Sequence, residues 1–176
     1  MDNTMETIET IKSRRSVRGF TGENVSDETV TSILDAGRWA PSGLNNQPWR
    51  FIVVRNPETK VEFSKLTVYG PTIQNAPLLV VVFLDKEHMY NYVKDVQSIG
   101  ACIQNMLLFI HSISLGGVWL GEILKSREMI NKILDAPDSF ELMAVVAIGH
   151  PASKPYITER KELGQLVFRE KIGKSW

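Results

Sequence analysis

The sequence predicts an α+β fold, or mixed α/β sandwich, organised as one domain over residues 1–176. Segments 77–85 and 142–148 are apolar on both faces, which is typical of strands covered from two sides. Segment 26–37 instead places its apolar residues at helical spacing. Strands and helices do not alternate strictly along the chain, so a repeating βα architecture is not indicated.

Two helices and a structured loop are predicted before the first strand. Residues from about 4 to 12 alternate apolar and polar positions at helical spacing. Ser26 can cap the second helix, because a serine hydroxyl accepts a hydrogen bond from a free N–H of the first turn. Pro41 ends that helix, and segment 41–48 is rich in turn-forming residues, which indicates a structured loop.

The middle of the chain combines strands with helices of unequal length. Segment 49–55 is β-branched and aromatic and predicts a strand. A helix is expected from Pro57 to about residue 66, since proline is favoured in a first turn. After the central strand at 77–85, a long helix is expected over about 92–114. It is apolar nearly all round, which predicts burial against a second subunit as well as the core.

The last third of the chain is predicted to end in an extended arm. Segment 116–121 predicts a short strand or turn, and a helix is expected over about 125–134. The buried strand at 142–148 follows. From about residue 151 the chain carries two prolines and many charges, so we expect an arm with a short terminal helix or strand.

Composition and charge exclude several functional classes. The 20 Lys and Arg residues balance 20 Asp and Glu residues, so no basic surplus exists to attract nucleic acid or an anionic membrane. No apolar run approaches the length of a membrane helix. Cys102 is the only cysteine, which excludes an intrachain disulfide and a cysteine-built metal cluster. The N-terminus lacks the features of a signal peptide, so we expect a metal-free cytoplasmic protein.

A basic cluster near the N-terminus is the first candidate binding site. Guanidinium groups bind phosphate through paired, charge-assisted hydrogen bonds, and serine hydroxyls can fill the remaining acceptor positions. The alternative is a solvated helix end, where cations interact favourably with the helix dipole. Arg160 and Lys161 offer the same chemistry late in the chain, with a solvated surface as the alternative. The N-terminal cluster comprises Ser13, Arg14, Arg15, Ser16 and Arg18.

The loop at 41–48 (P-S-G-L-N-N-Q-P) is the second candidate site. Asn and Gln side chains carry both donors and acceptors, which suits the edge of a flat heterocycle that alternates C=O and N–H. The two flanking prolines would hold such a loop rigid, as a cofactor site requires. The alternative is a rigid connection into the strand that follows.

The remaining signals favour structural roles. We expect Trp39, Trp49 and Trp119 in the core, Cys102 as an inert core thiol, and His111 on a helix surface or at an interface. The sequence contains no G-x-G-x-x-G after a strand and no G-x-x-x-x-G-K-[ST]. Nucleotide binding by a Rossmann or P-loop mechanism is therefore not supported.

Two motifs in tandem resemble those of the nitroreductase family. The first is S-R-R-S-V-R-G-F at 13–20, and the second is W-A-P-S-G-L-N-N-Q-P-W-R-F-I-V-V at 39–54. The later segments A-P-L-L-V-V-V-F, Q-N-M-L-L, G-G-V-W-L-G and A-I-G-H-P follow in the family's order, with Arg160 after them. The similarity covers nearly the whole chain, and the tandem of the first two motifs is its specific part.

The resemblance implies a central, mainly antiparallel sheet flanked by helices, and FMN held at the interface of an interlocked homodimer. Both chains would build each site. The family's first FMN segment matches Arg14, Arg15, Ser16 and Arg18. The first three would bind the phosphate and the ribityl chain, and Arg18 would lie near the pyrimidine edge of the flavin ring. The segment contributed by the partner subunit matches Pro41, Ser42, Asn45 and Gln47.

The resemblance also assigns roles to later residues. Leu120 and Gly121 match the backbone near the flavin's reactive nitrogen. Arg160 matches a late basic residue that binds the phosphate, and Lys161 would assist it there. Two features depart from the larger family members. Their basic and amide residues before the second strand are absent from 69–72, and the connection at 85–91 leaves little room for a lid.

The expected activity is transfer of hydride or electrons from NAD(P)H through bound FMN to a small oxidised acceptor by a ping-pong mechanism. A nitroaromatic, quinone, enone or free flavin would suit an open flavin face. The cofactor carries the chemistry, so no catalytic side chain is predicted. The alternatives are a reductive dehalogenase of the same fold, a flavin-storage protein without turnover, and a nucleic-acid contact at the arginine cluster, which the zero net charge disfavours.

Overall fold

One four-stranded antiparallel sheet organises the molecule, which a computed structural model describes over residues 7–176. The strand order is β1-β2-β4-β3, so β1 and β3 form the two edges of the sheet. Ser16 adds a single parallel bridge to Gly117 on the open side of β3. The strands are β1 (Trp49–Val54), β2 (Leu78–Asp85), β3 (Gly116–Leu120) and β4 (Phe140–Gly149).

Helices cover both faces of this sheet. The helices are α1 (Thr7–Ser13), α2 (Asp27–Arg38), α3 (Pro57–Ser64), α4 (Gly70–Asn75), α5 (Tyr92–Ser112) and α6 (Arg127–Ile133). Helices α2 and α5 pack on one face, and α3, α4 and α6 pack on the other. The predicted α+β sandwich is confirmed.

Strand β2 holds the two layers together, because every one of its residues is buried. Val80 and Val82 point to the layer that contains Ile103 of α5. Val81 and Phe83 point to the opposite layer. Successive side chains of a strand point to opposite faces, so a strand that lies between two apolar layers needs apolar residues at successive positions. This explains the continuous hydrophobic run of β2.

Most of the predicted elements are present with shifted ends. The side chain of Ser26 caps α2 as expected, accepting a hydrogen bond from the N–H of Thr29 at 3.2 Å. The helix expected at 57–66 ends at Ser64, and the long helix expected at 92–114 ends at Ser112. The strand or turn expected at 116–121 is the edge strand Gly116–Leu120. The expected helix from residue 4 lies partly outside the described residues, and its described part is α1.

Three segments differ from the sequence prediction. Helix α4 was not predicted, since its Gly-Pro start is typical of a turn and it has only 6 residues. The helix expected at 125–134 is divided into a 3₁₀ helix, Glu122–Ser126, and α6. From residue 151 onward, regular structure amounts to one 3₁₀ turn at Leu163–Gln165 and two isolated bridges, Pro151 with Phe20 and Phe168 with Ser175.

The tryptophans divide between core and surface. Trp49 is 6% exposed, as predicted, but Trp39 and Trp119 are 75% and 42% exposed, so their predicted core positions are wrong for this chain. Trp39 follows the end of α2, and Trp119 lies on an edge strand that α5 covers only in part. Cys102 is fully buried in α5, and burial raises the pKa of its thiol to about 12, so the inert-thiol prediction is confirmed.

Helix α5 retains apolar surface that its own chain does not cover. Its buried stripe includes Ile99 and Ile103, whereas Val93 is exposed and Phe109 is half-buried. Ile113, directly after the last residue of the helix, is also exposed. An apolar helix face open to water is unfavourable unless another surface covers it. This is the surface from which the sequence analysis predicted a second subunit.

Candidate functional site

Five of the predicted residues line one cavity together with two further residues of the C-terminal segment. The segment after α1 runs along the edge of β3, where the N–H of Val17 donates to the carbonyl of Gly117 at 3.1 Å. The buried Val17 side chain anchors this segment, and Gly116 has no room for a Cβ beside it. The arginine cavity, of about 310 Å³, is lined by Arg14, Arg15, Ser16, Arg18, Tyr156, Thr158 and Arg160.

The arginine cavity concentrates positive charge with no acidic side chain among its lining residues. Burial, together with the charges of Arg15 and Arg160, lowers the pKa of Arg14 below its ordinary value. The Nε of Arg15 is buried and has no hydrogen-bond partner among the described residues, although its Nη1 donates to the carbonyl of Lys12. A bound anion would accept from the unused donors and relieve this repulsion, and a phosphate has the matching geometry.

Arg160 is held in the cavity by its own segment. Its Nη1 donates to the hydroxyl of Thr158 at 2.9 Å and to the carbonyl of Glu159 at 3.3 Å, and its Nε and Nη2 make no hydrogen bond to any residue from 7 to 176. Tyr156, Thr158 and Arg160 alternate along an extended stretch and share the cavity. The sequence analysis missed Tyr156 and Thr158, although their spacing of two from Arg160 in a strand-like segment was the available signal. Lys161 does not line the cavity.

A second group of residues connects Arg18 with the end of β3. The Arg18 guanidinium lies 5.7 Å from the ring centre of Tyr69, a cation–π contact. One residue beyond Gly121, the Glu122 carboxylate accepts from the Thr67 hydroxyl at 2.5 Å and pairs with Lys125. Hydrogen bonds from Lys125 and Thr67 lower the pKa of Glu122. The backbone at Gly121 opens onto free space, so a ligand can approach it.

The loop at residues 41–48, called the amide loop below, has a strained backbone. Leu44, Asn45 and Gln47 all have positive φ, at 54°, 56° and 47°. This conformation costs residues other than glycine roughly 1–3 kcal/mol each and persists only where surrounding contacts enforce it. The N–H of Gln47 donates to the Ser42 hydroxyl at 3.0 Å, which closes the loop on itself.

The amide loop and the arginine cavity lie at opposite edges of the sheet. The amide loop leads into edge strand β1, whereas the arginine segment borders β3 at the other edge. Four strand spacings separate them, roughly 19 Å. Pro41 and Ser42 line a different cavity, of about 360 Å³, formed with the first half of α5. One chain therefore brings the predicted arginines together but leaves the predicted amide residues apart from them.

Comparison with known proteins identifies the family. Residues 11–68 and 62–150 match the sequence profile of the nitroreductase family. The chain belongs to the nitroreductase family. The two N-terminal motifs predicted this membership, and the prediction is confirmed.

Individual nitroreductases resemble the chain over most of its length. A protein of Methanothermobacter thermautotrophicus, provisionally named NADH dehydrogenase/NAD(P)H nitroreductase, is 35% identical over 86% of this chain and 80% of its own. A relative of the same provisional name from Archaeoglobus fulgidus is 36% identical over 83% of this chain and 86% of its own. The crystal structure of a provisionally named nitroreductase from Desulfovibrio desulfuricans, in complex with FMN, has a TM-score of 0.89 and 44% identity, covering 95% of this chain and 98% of its own.

Residues 7–176 contain neither a metal-binding cluster nor a membrane-spanning helix. No group of three or more His, Cys, Asp or Glu side chains in this range is placed to hold a metal ion. None of the helices described in this range has the length and apolarity needed to cross a membrane.

The arginines make stability depend on pH through His111. His111, near the end of α5, hydrogen-bonds to the Ser13 hydroxyl at 2.8 Å. Burial and the charges of Arg14 and Arg15 lower its pKa. A histidine with a lowered folded-state pKa stabilises the fold fully above the unfolded-state pKa of about 6.5, and this contribution is lost as the pH falls through the folded-state value.

We therefore expect the free energy of unfolding to fall between about pH 7 and about pH 5, and to fall less in His111→Gln. Glutamine keeps a group that can bond to Ser13 but cannot take a proton. Urea unfolding at both pH values measures the effect, with His150→Gln as a control outside the arginine cluster. Equal pH dependence in wild type and His111→Gln would contradict the argument.

Proposed function

We propose that this nitroreductase is an FMN-dependent oxidoreductase that passes hydride or electrons from NAD(P)H to a small oxidised acceptor. The observation that carries the proposal is the arginine cavity, whose cations have unused donors and no acidic partner in the lining. The FMN complex of the Desulfovibrio relative and the names of the archaeal relatives support it. Suitable acceptors are nitroaromatics, quinones, enones and free flavins, reduced in a ping-pong sequence.

The residues of the cavity fit the phosphate end of FMN. Arg14, Arg15 and Arg160 would bind the phosphate, and the buried Nε of Arg15 supplies a donor that has no partner in the described chain. Ser16 would meet the ribityl chain or the phosphate. Lys161, which lies outside the cavity lining, would contribute only long-range positive charge.

The ring end of the cofactor would lie toward Arg18 and the end of β3. Arg18 is steadied by its contact with Tyr69, and its charge would stabilise negative charge at the pyrimidine edge of the flavin. The backbone at Leu120 and Gly121 would approach the reactive nitrogen, which the open space at Gly121 permits. FMN supplies the hydride and electron transfer itself, so the side chains bind, orient and tune without acting as nucleophile or acid.

A homodimer would complete the site. Pro41, Ser42, Asn45 and Gln47 lie at the sheet edge opposite the arginine cavity, so one flavin can meet both segments only if a second chain supplies one of them. Residues 151–176 would form an arm extending from the single domain. Its apolar side chains are largely exposed in one chain, and a second chain would cover them; they include Tyr156, Ile157, Leu163, Ile172 and Trp176. Cytoplasmic location stays a prediction from the sequence.

The first experiment is an absorbance spectrum of the purified protein, followed by anaerobic addition of NADH and then NADPH. We expect the bands of oxidised flavin and their bleaching by at least one donor. A flavin spectrum that neither donor bleaches would contradict turnover with NAD(P)H and favour a storage protein. A colourless protein that FMN cannot reconstitute would refute the proposal.

Arg160→Gln tests the phosphate assignment. Loss of a charge-assisted hydrogen bond should weaken FMN binding roughly 10- to 100-fold. Riboflavin lacks the phosphate, so its affinity should be unchanged. The matched control is Arg38→Gln, which removes the same charge from an exposed position on α2. If FMN and riboflavin weaken equally, Arg160 does not bind the phosphate.

Sedimentation analysis of the FMN-loaded protein tests the dimer. We expect twice the mass of one chain, because the amide loop and the arginine cavity are too far apart to build one site within a chain. A flavin-bound, active monomer would show that the amide loop has no part in the flavin site.

A further inference from the structure

The strained shape of the amide loop depends on a side-chain network behind it. Asn46 is the one residue of the run from Leu44 to Gln47 with negative φ, and its side chain turns inward. Its Nδ2 donates to Oδ1 of Asp95 and to the carbonyl of His88, both at 3.0 Å. These bonds join the loop to the start of α5, across about 50 residues of sequence.

Asp95 is fully buried and uses its two carboxylate oxygens for different tasks. Oδ2 accepts from the N–H groups of Tyr90 and Asn91, at 2.7 and 2.8 Å, and so fixes the chain that enters α5. Oδ1 accepts from Asn46. A buried carboxylate with all its partners in place is rigid, because breaking any bond leaves charge unpaired. Asp95 therefore transfers the rigidity of α5 to the amide loop.

The short connection between β2 and α5 completes this support. The Tyr90 ring lies against Gly43, where a Cβ would approach it to 2.7 Å, so a larger residue at this point would have to displace the ring. Nearer the sheet, Arg50 binds the carbonyl of Gln47 at 3.3 Å and the buried Asp85 at 2.7 Å. The connection at residues 85–91 is too short to form a lid, and it packs behind the amide loop instead.

We propose that Asn46 and Asp95 are positioning residues that hold the amide loop in its strained, binding-competent shape for the flavin site of the second subunit. The inference rests on the proposed function, since it assumes that this loop contacts FMN. Neither side chain contacts the cofactor in this scheme. Asn46 acts through Asn45 and Gln47, its two neighbours in the left-handed conformation.

The two tasks of Asp95 allow the positioning role to be separated from ordinary structural stabilisation. Asn46→Ala removes the link to the loop but leaves Oδ2 of Asp95 bound to its two N–H groups. Asn131→Ala is a matched control, because Asn131 also donates from Nδ2 to a backbone carbonyl, that of Phe140 at 3.0 Å. Both asparagines bury an Oδ1 that has no partner among the described residues.

The experiment compares FMN release from the two variant holoenzymes, together with amide hydrogen exchange of residues 41–48 in the flavin-free proteins. We expect similar losses of thermal stability in both variants. In Asn46→Ala alone, we expect faster exchange in the amide loop and FMN binding roughly tenfold weaker, because the competent loop shape is less populated. Unchanged exchange in Asn46→Ala, or faster exchange with unchanged FMN affinity, would overturn the proposal.

A charge exchange provides a second test. Asn46→Asp places two carboxylates face to face and should weaken FMN binding more than Asn46→Ala does. Adding Asp95→Asn restores the donor and acceptor pair between the two positions and should recover part of the affinity, because only the carbonyl of His88 still lacks its donor. A purely structural loss would not show this rescue. Failure of rescue would overturn the proposal. A wild-type protein that binds no FMN would instead refute the proposed function. In that case, amide hydrogen exchange of residues 41–48 would still show whether Asn46 holds the loop in its shape.

Discussion

The two-sided burial of β2 is the constraint on which the rest of the structure depends. A strand with no exposed residue needs hydrogen-bonded neighbours on both sides and apolar layers above and below. The neighbours are β1 and β4, and the layers are the two groups of helices. This arrangement leaves β1 and β3 as the edges, and each edge carries one of the two polar segments of the proposed flavin site. The central position of β2 in the sheet therefore sets the distance between those two segments.

The parts of the fold that sequence reasoning predicted are those with one dominant physical signal. β2 and β4 are apolar on both faces, and Ser26 begins a helix with a clear apolar stripe. Helix α4 had no such signal, because its Gly-Pro start favours a turn and tertiary packing of Ile73 imposes the helix. The prediction of a core position for Trp119 was wrong because the sequence shows that side chains alternate along β3, but it does not show that α5 covers this edge strand only in part.

The same distinction applies to the site. Arg14, Arg15, Ser16 and Arg18 are close in sequence, so their motif predicted that they act together, and Arg160 joined them through the family resemblance. Tyr156 and Thr158 were missed because the only signal they carry is their spacing of two from Arg160, which by itself indicates no particular function. The contact between Asn46 and Asp95 could not be predicted from either residue, because it exists only once the loop and α5 are placed together.

The complete burial of Cys102 has a chemical consequence for an enzyme of this kind. Quinones and the partly reduced products of nitroaromatics are electrophiles that attack accessible thiolates. The only thiol of this chain lies in the core of α5, and its pKa of about 12 keeps it protonated. A thiol that is both inaccessible and protonated reacts with neither class of electrophile. Such compounds therefore cannot alkylate the folded protein at cysteine.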